Sequence, residues 1–269
     1  MNFHSDEWIM ERVREHYNEA LEYFHEDRIV CLVLQGSQNY GLDYEGSDID
    51  TKLIVTPTFK EIAMNYKPVS TTHIRANEEH IDFKDIRLYI QTFRKQNLNF
   101  LEILFSKYCI VNPIYEAEWN RLVEAREEIA HYSPVQAIKS MRGIAKEKYF
   151  AMEHNYPSRM EWINKFGYDP KQLHHLIRVR EYIERYIDGE SYEDCLISTQ
   201  PEYLKRVKSG CHNLDDARII ADNSIASIDN MCDEYLKKCS SEVDKDVDAL
   251  LDDVQYNIMK IAIKKEIGD

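Results

Sequence analysis

Two aspartates separated by one residue, Asp48 and Asp50, are the side chains in this sequence best placed to do chemistry. If the segment that contains them is extended, side chains at positions i and i+2 point to the same face, so the two carboxylates converge. Repulsion between carboxylates at short range is costly unless a cation neutralises it, and hard oxygen ligands suit Mg²⁺ or Mn²⁺ better than zinc. The pair therefore predicts a divalent-metal site.

A Gly36-Ser37 pair lies upstream, eleven residues before Asp48 when counted from the serine. Glycine permits a tight turn, and the serine adds a hydroxyl and a free backbone N–H at the predicted start of a short helix, which are features that hold phosphate. Ser47 either orients the carboxylates or caps a turn, and we assign it to the nucleotide- and phosphate-binding residues. A metal pair that faces a phosphate-binding turn is what nucleotidyl transfer requires, and we expect Asp82 to supply a third carboxylate.

Short strands must position these side chains. The continuous apolar run 29–34 ends just before Gly36 and is typical of a strand buried on both faces. The runs 50–55 and 80–83 predict two further strands, which contain Asp50 and Asp82 respectively. The sequence also predicts helices over 7–24, over 59–66 after a Thr58 cap, and from residue 86 after an Asp85 cap.

The segment GSQNYG at 36–41, followed by SDID at 47–50, resembles the Gly-Ser…Asp-x-Asp signature of the DNA polymerase beta nucleotidyltransferase superfamily. It is most similar to the branch of predicted bacterial and phage nucleotidyltransferases associated with RNA repair, in which Tyr-Gly and Ser-Asp flank the loop. The segments NLNFLEILF at 97–105 and GYDPKQLHHLIR at 167–178 also resemble that branch. The resemblance covers about two thirds of the chain.

This resemblance implies a role for each residue of the motif. Asp48 and Asp50 would bind two metal ions, Mg²⁺ or Mn²⁺, and Asp82 would complete the catalytic metal site and favour deprotonation of the acceptor hydroxyl. Gly36 and Ser37 would hold the β- and γ-phosphates of the nucleotide.

The third carboxylate has alternatives. In the related proteins a hydrophobic run usually precedes it, whereas polar residues lie just upstream of Asp82, so Glu79 or Asp85 could take its place. In the loop after the Gly-Ser pair, Tyr40 and Asn39 are candidates either for nucleotide contact or for a purely structural role.

Beyond Pro113 the chain shows helical periodicity broken by proline and glycine, without a convincing strand. We therefore predict an α+β protein. A polymerase-beta-type nucleotidyltransferase domain, with a small mixed sheet and flanking helices, would occupy residues 1–112, and an all-helical substrate-binding domain would occupy residues 113–269.

The helical half contains a basic segment. Residues 139–180 hold nine Lys or Arg against four Asp or Glu, which would suit triphosphate or RNA binding, although most charged helix faces are merely solvated. The candidates are Arg142, Lys146, Lys171 and Arg178, and we assign Lys171 and Arg178 to phosphate binding.

Composition limits the remaining possibilities. The 269 residues have a formal net charge of −14, so global attraction to nucleic acid is not favoured, but a local basic surface could still bind RNA. The six cysteines form no Cys-x-x-Cys pair, which argues against zinc and disulfides. No apolar run approaches the ~20 residues of a membrane span, so we expect a cytoplasmic protein without membrane contact. The sequence leaves the oligomeric state open.

Together these features predict a metal-dependent nucleotidyltransferase that moves a nucleoside monophosphate from an NTP to a hydroxyl and releases pyrophosphate. Family analogy makes an RNA 3′ end the leading acceptor, in RNA repair or modification. The alternatives are nucleotidylation of a small molecule or a protein hydroxyl, and a non-catalytic nucleotide-binding module.

Overall fold

The computed structural model describes residues 3–268 and divides the chain into two compact units. The first unit contains the residues up to Ser133 together with those from Glu242 onward, and the second contains Pro134–Ser241. The packing therefore changes from one unit to the other after residue 133 and changes back near residue 242, instead of once at 112/113. The last helix of the chain returns to the first unit, and this accounts for the second change.

The first unit is built on a five-stranded sheet. Its strands are β1 Ile29–Gln35, β2 Asp50–Val55, β3 Ser70–Ile74, β4 His80–Asp85 and β5 Cys109–Val111. Their order is β3-β4-β2-β1-β5; β2 and β4 pair in parallel, and the other neighbours are antiparallel. The almost completely buried β1 and β2 are interior strands, in agreement with the apolar sequence of β1 and of the second half of β2.

Helix α1, Asp6–Ala20, packs against one face of this sheet. The Ser5 hydroxyl accepts a hydrogen bond from the first turn and caps the helix. The buried stripe of α1 includes Val13, which belongs to the same apolar core as Leu53 of β2. Because side chains alternate along a strand, Asp50 and the other even-numbered residues of β2 point to the opposite face.

Several elements differ from the sequence-based expectation, and the first is α1, which ends at Ala20 instead of residue 24. The pattern does not predict β3, whose residues are mostly exposed at the edge of the sheet. Helix α2, Phe59–Ala63, ends before the predicted end at residue 66, because Asn65 adopts a left-handed φ of +52° that stops a right-handed helix. The predicted Thr58 cap is confirmed, and Glu61 completes a capping box with it.

The other helices of the first unit before residue 133 are short. They are α3 Ile86–Arg94, α4 Leu98–Leu101, α5 Glu116–Glu124 and α6 Arg126–Ala130. Asp85 caps α3 as predicted, by accepting a hydrogen bond from the N–H of Arg87.

The second unit consists of helices. They are α7 Pro134–Ala151, α8 Met160–Phe166, α9 Pro170–Ile187, α10 Tyr192–Leu196, α11 Pro201–Lys208 and α12 Leu214–Leu236. Helix α9 is central and packs against α7, α11 and α12, burying Leu173, Leu176 and Ile183 among them. As the periodicity predicts, every regular element between residues 113 and 268 is helical.

The final helix, α13 Lys245–Ile267, belongs to the first unit and packs against α3 and α5. Arg94 of α3 forms ion pairs with Asp248 (2.7 Å) and Asp252 (2.6 Å) of α13. Among the helices of residues 3–268, none has both the length and the apolar character needed to cross a bilayer.

Candidate active site

Asp48 and Asp50 lie where β2 begins. Asp50 is the first residue of the strand, with a side chain 38% exposed, and Asp48 lies two residues earlier in the exposed part of the loop. Oδ1 of Asp50 accepts a hydrogen bond from the backbone N–H of His80 (3.1 Å) and lies 3.1 Å from Nδ1 of the same histidine. The start of β2 therefore presents one hydrogen-bonded carboxylate, that of Asp50, and one solvent-exposed carboxylate, that of Asp48.

The charge of Asp48 affects the ionisation of Asp50. Burial raises the pKa of Asp50, and the negative charge of Asp48 raises it further, while His80 acts in the opposite direction. A bound cation would relieve this repulsion, and an all-oxygen donor pair favours a hard divalent cation.

The Gly36-Ser37 turn lies next to this pair, because Gln35 at the end of β1 is the register partner of Asp50. Gly36 has φ +109° and ψ −160°, a backbone conformation that residues with a Cβ rarely adopt. It precedes the 3₁₀ helix Ser37–Tyr40, which confirms the predicted short helix. From this helix, Gln38 Nε2 donates a 2.7 Å hydrogen bond to the backbone oxygen of Asp48, and this bond ties the turn to the carboxylate loop.

Of three loop residues assigned either to the nucleotide or to the loop, Ser47 and Asn39 form hydrogen bonds with neighbouring backbone groups. The Ser47 hydroxyl accepts a hydrogen bond from the N–H of Tyr44 (3.0 Å), which closes a turn just before Asp48. Asn39 donates to the backbone oxygen of Leu34 (3.0 Å), and Tyr40 is half-buried at the end of the 3₁₀ helix. The capping role of Ser47 is therefore observed, whereas its contact with nucleotide, like that of Tyr40, stays a prediction.

Asp82 points to the same face of the sheet as Asp50, because Asp82 of β4 is the register partner of Lys52, two residues after Asp50. Its carboxylate accepts hydrogen bonds from Lys52 Nζ (2.7 Å) and from the Thr72 hydroxyl. Burial opposes ionisation, but the charge of Lys52 and these hydrogen bonds outweigh it and lower the pKa of Asp82. Asp82 is thus an ionised carboxylate already paired with an internal cation.

Lys52 and Lys84 also lie at the candidate site, and the sequence reasoning missed them. Their ammonium groups lie 4.5 Å and 3.9 Å from the centroid of the Phe100 ring, beside Asp82. Burial lowers the pKa of Lys84, and the charge of Lys52 lowers it further. Strand alternation could have found both lysines, because each follows a site aspartate by two residues.

The two alternatives for the third carboxylate are engaged elsewhere. Glu79 is 5% exposed and accepts hydrogen bonds from Arg12, His16 and other groups on the α1 side of the sheet. Asp85 is 2% exposed, caps α3 and forms an ion pair with Arg87 (2.7 Å). Neither carboxylate lies on the face of the sheet that carries Asp50 and Asp82.

The donor chemistry fits a divalent metal at two of the three predicted ligands. Asp48 and Asp50 are adjacent oxygen donors whose repulsion favours a cation, whereas the oxygens of Asp82 bond to Lys52 and Thr72. Within residues 3–268, no group of three or more His, Cys, Asp or Glu side chains is arranged to hold a metal ion. The predicted trio is therefore not gathered into a ready-made coordination shell.

The basic candidates lie in the second unit. Lys171 is half-buried near the start of α9, and Arg178 is 8% exposed within the same helix. Arg142 of α7 forms an ion pair with Asp229 of α12 (2.6 Å), and Lys146 lies 3.4 Å from the same carboxylate. Acidic residues of α12 thus neutralise part of the basic segment, and phosphate binding by Lys171 and Arg178 stays a prediction.

Comparison with known proteins gives little similarity. No protein-family model matches the chain, and no curated protein matches its sequence. Among solved structures, the chain is similar to the crystal structure of a nucleotidyltransferase-like protein from Exiguobacterium sibiricum 255-15, with 11% identity and a TM-score of 0.32 over 94% of this chain and 89% of that one. A TM-score this low does not establish a shared fold.

Proposed function

We propose that this chain is a metal-dependent nucleotidyltransferase that moves a nucleoside monophosphate from an NTP to a hydroxyl acceptor and releases pyrophosphate. The observation that best supports this proposal is the register of Gln35 with Asp50, which brings the Gly36-Ser37 turn beside the Asp48–Asp50 carboxylates. The turn offers a backbone N–H and a hydroxyl to phosphate, and the carboxylates offer oxygen ligands to the Mg²⁺ or Mn²⁺ that accompanies an NTP.

Each residue of the site has a task in this proposal. Asp48 and Asp50 hold the metal, and the hydrogen bonds from His80 keep Asp50 oriented. The bound metal would supply charge neutralisation for the triphosphate and a lower pKa for the acceptor hydroxyl. Ser37 holds the β- and γ-phosphates, and Asp82 is the third carboxylate of the same face.

The ion pair between Lys52 and Asp82 favours a second candidate, a nucleotide-binding module without catalysis. In such a module the lysine takes the place of a cation at the third carboxylate. An NTP with its Mg²⁺ or Mn²⁺ would then bind at the turn and the two aspartates, with the cation held by Asp48 and Asp50 and the phosphates by Gly36-Ser37, without being cleaved.

One experiment separates the two candidates. The full chain is incubated with each labelled NTP, Mg²⁺ or Mn²⁺ and pooled RNA, and pyrophosphate release is measured for wild type, Asp48→Asn, Asp50→Asn and the control Asp27→Asn. We expect each site variant to lower the rate at least about 100-fold, because loss of a metal ligand removes several kcal/mol of transition-state stabilisation. The control removes a carboxylate near the start of β1, away from the site, and should retain the wild-type rate. NTP binding without pyrophosphate release would instead support the non-catalytic module.

The label identifies the acceptor. We propose an RNA 3′ end first, on the basis of the resemblance to the RNA-repair branch, and this predicts labelled RNA lengthened at its 3′ terminus. Label on the protein itself, or on a small hydroxyl compound added in place of RNA, would redirect the assignment to those acceptors while leaving the reaction type intact.

A further inference from the structure

A buried polar cluster lies beneath the candidate active site, on the α1 side of the sheet. His16 of α1 and Thr51 of β2 are 0% and 1% exposed, and Glu79, just before β4, is 5% exposed. Thr51 follows Asp50 directly, and strand alternation turns its side chain away from the carboxylate face toward α1. The cluster therefore touches the same stretch of chain as the site, but from the opposite side of the sheet.

The cluster contacts the residues immediately before and after Asp50 in the sequence, Ile49 and Thr51. His16 Nδ1 lies 2.9 Å from the Thr51 hydroxyl, and His16 Nε2 lies 2.9 Å from Oε2 of Glu79. Because an ionised carboxylate only accepts hydrogen bonds, Nε2 is the donor in the second contact. The other oxygen of Glu79, Oε1, accepts a bond from the backbone N–H of Ile49 (3.3 Å). The residue before Asp50 and the residue after it are thus bonded to one network.

Packing alone does not explain this arrangement. A buried carboxylate is costly unless it is paired and fully hydrogen-bonded, and apolar residues of similar size would fill the space at less cost. Here Glu79 is satisfied by Arg12 (2.6 Å), Arg75 (2.8 Å) and Asn77 (2.8 Å) in addition to His16. Four polar side chains therefore bond to one buried carboxylate, which contacts the loop that ends at Asp50 from the α1 side of the sheet.

We propose that His16, Thr51 and Glu79 form a positioning network that fixes the chain from Ile49 to Thr51 and thereby sets the affinity of the Asp48–Asp50 pair for a divalent cation. This inference rests on the proposed function, because it takes the two aspartates as metal ligands. The three residues do not touch the metal. They act as partners of the ligand-bearing segment, a role whose loss typically weakens metal binding about 10–100-fold.

Strand β2 offers a matched pair of substitutions to test this network. Thr51→Val removes the hydroxyl next to His16, whereas Thr56→Val removes an equally buried hydroxyl just after β2, where Thr56 donates to the backbone oxygen of Arg28 (3.3 Å). Mn²⁺ binding to the full chain is measured by electron paramagnetic resonance of the free ion, with Asp50→Asn as the reference for a lost ligand. We expect Thr51→Val to raise the Kd for Mn²⁺ at least about 10-fold, and Thr56→Val to change it less than about 2-fold.

Hydrogen exchange of the metal-free protein provides the second readout. We expect the peptide that contains Ile49 to exchange faster in Thr51→Val than in Thr56→Val, because its N–H bonds to the network. If the two variants match in both Mn²⁺ affinity and exchange, the network is only structural and the inference is overturned, while the proposed function stands. If wild type binds Mn²⁺ no better than Asp50→Asn, the metal site of the proposed function fails, and the inferred control of metal affinity fails with it. In that case the exchange difference still decides whether the network fixes the segment.

Discussion

Glu79 is a buried negative charge whose ionisation depends on its neighbours. Burial by itself raises the pKa of its carboxyl group, but hydrogen bonds from His16 and Asn77 and the charge of Arg12 outweigh burial and lower the pKa to about 2 from 4.5. Because the folded pKa lies below the unfolded one, ionised Glu79 stabilises the fold above pH 4.5, and this stabilisation is lost as the pH falls toward 2.

Substitution of Glu79 by glutamine should therefore cost stability in a pH-dependent way. We expect Glu79→Gln to lower the free energy of unfolding by roughly 2–3 kcal/mol at pH 7, and this deficit to shrink by roughly 1 kcal/mol at pH 3.5, at 1.36 kcal/mol per pKa unit. Urea unfolding followed by circular dichroism at the two pH values measures the deficit, with Asp27→Asn as the control for loss of a partly exposed carboxylate. A deficit equal at both pH values would contradict the low pKa of Glu79.

The sequence indicates the candidate pair Asp48 and Asp50 more directly than it indicates the partners of that pair. The convergence of Asp48 and Asp50 is predicted from strand alternation, which is a local property, although only Asp50 lies within β2. The pairing of Lys52 with Asp82 requires the parallel register of β2 and β4, and the pairing of Glu79 with His16 joins residues 63 positions apart. From the sequence alone Glu79 is a candidate metal ligand. In the structure it is buried and bonds to His16 and to the backbone of Ile49.

Helix α7 contains a glycine that its own packing does not require. Gly143 lies in the interior of Pro134–Ala151, is exposed, and a Cβ built on it meets nothing within 4 Å. Glycine in a helix interior destabilises the helix by roughly 0.5–1 kcal/mol relative to alanine, because it loses more backbone entropy on folding.

We accordingly expect Gly143→Ala to raise the free energy of unfolding by roughly 0.5–1 kcal/mol, measured by urea unfolding. Gly210→Ala is the matched control in the same unit, because Gly210 has φ +80° and its Cβ would lie 2.4 Å from the ring of Phe166. That variant should lose stability. If Gly143→Ala is destabilising as well, a contact that needs the glycine exists at this position.

Elements with a strong apolar pattern are the ones that the sequence predicts. β1 and the second half of β2 show such a pattern, and the structure confirms both strands. Strand β3 does not, because Ser-Thr-Thr-His-Ile lies at the sheet edge, mostly exposed, and is held by its pairing with β4 rather than by burial. A strand of this kind depends on backbone hydrogen bonds to a neighbour, which composition does not encode.

At the scale of the whole molecule, the path of the chain is the feature that sequence periodicity could not supply. Periodicity identifies α13 as an amphipathic helix but does not say which core receives its apolar stripe. The structure places that stripe, which includes Leu251, in the first unit, whereas α12, which precedes it, buries Ile228 in the second. The first unit is therefore completed only by the last residues of the chain.

This path predicts where the effect of a core mutation appears. Leu251 and Ile228 are both 0% exposed, so truncation of either to alanine should cost roughly 2–5 kcal/mol by creating a cavity. Local opening follows the packing around each cavity. In hydrogen-exchange mass spectrometry of the full chain, we expect Leu251→Ala to accelerate exchange in α3 and α5, which pack against α13, and Ile228→Ala to accelerate exchange in α7 and α9, which pack against α12. The opposite result would be faster exchange in α7 and α9 of Leu251→Ala, with exchange in α3 and α5 unchanged. In that case α13 would belong to the second unit, and the division of the chain into these two units would be wrong.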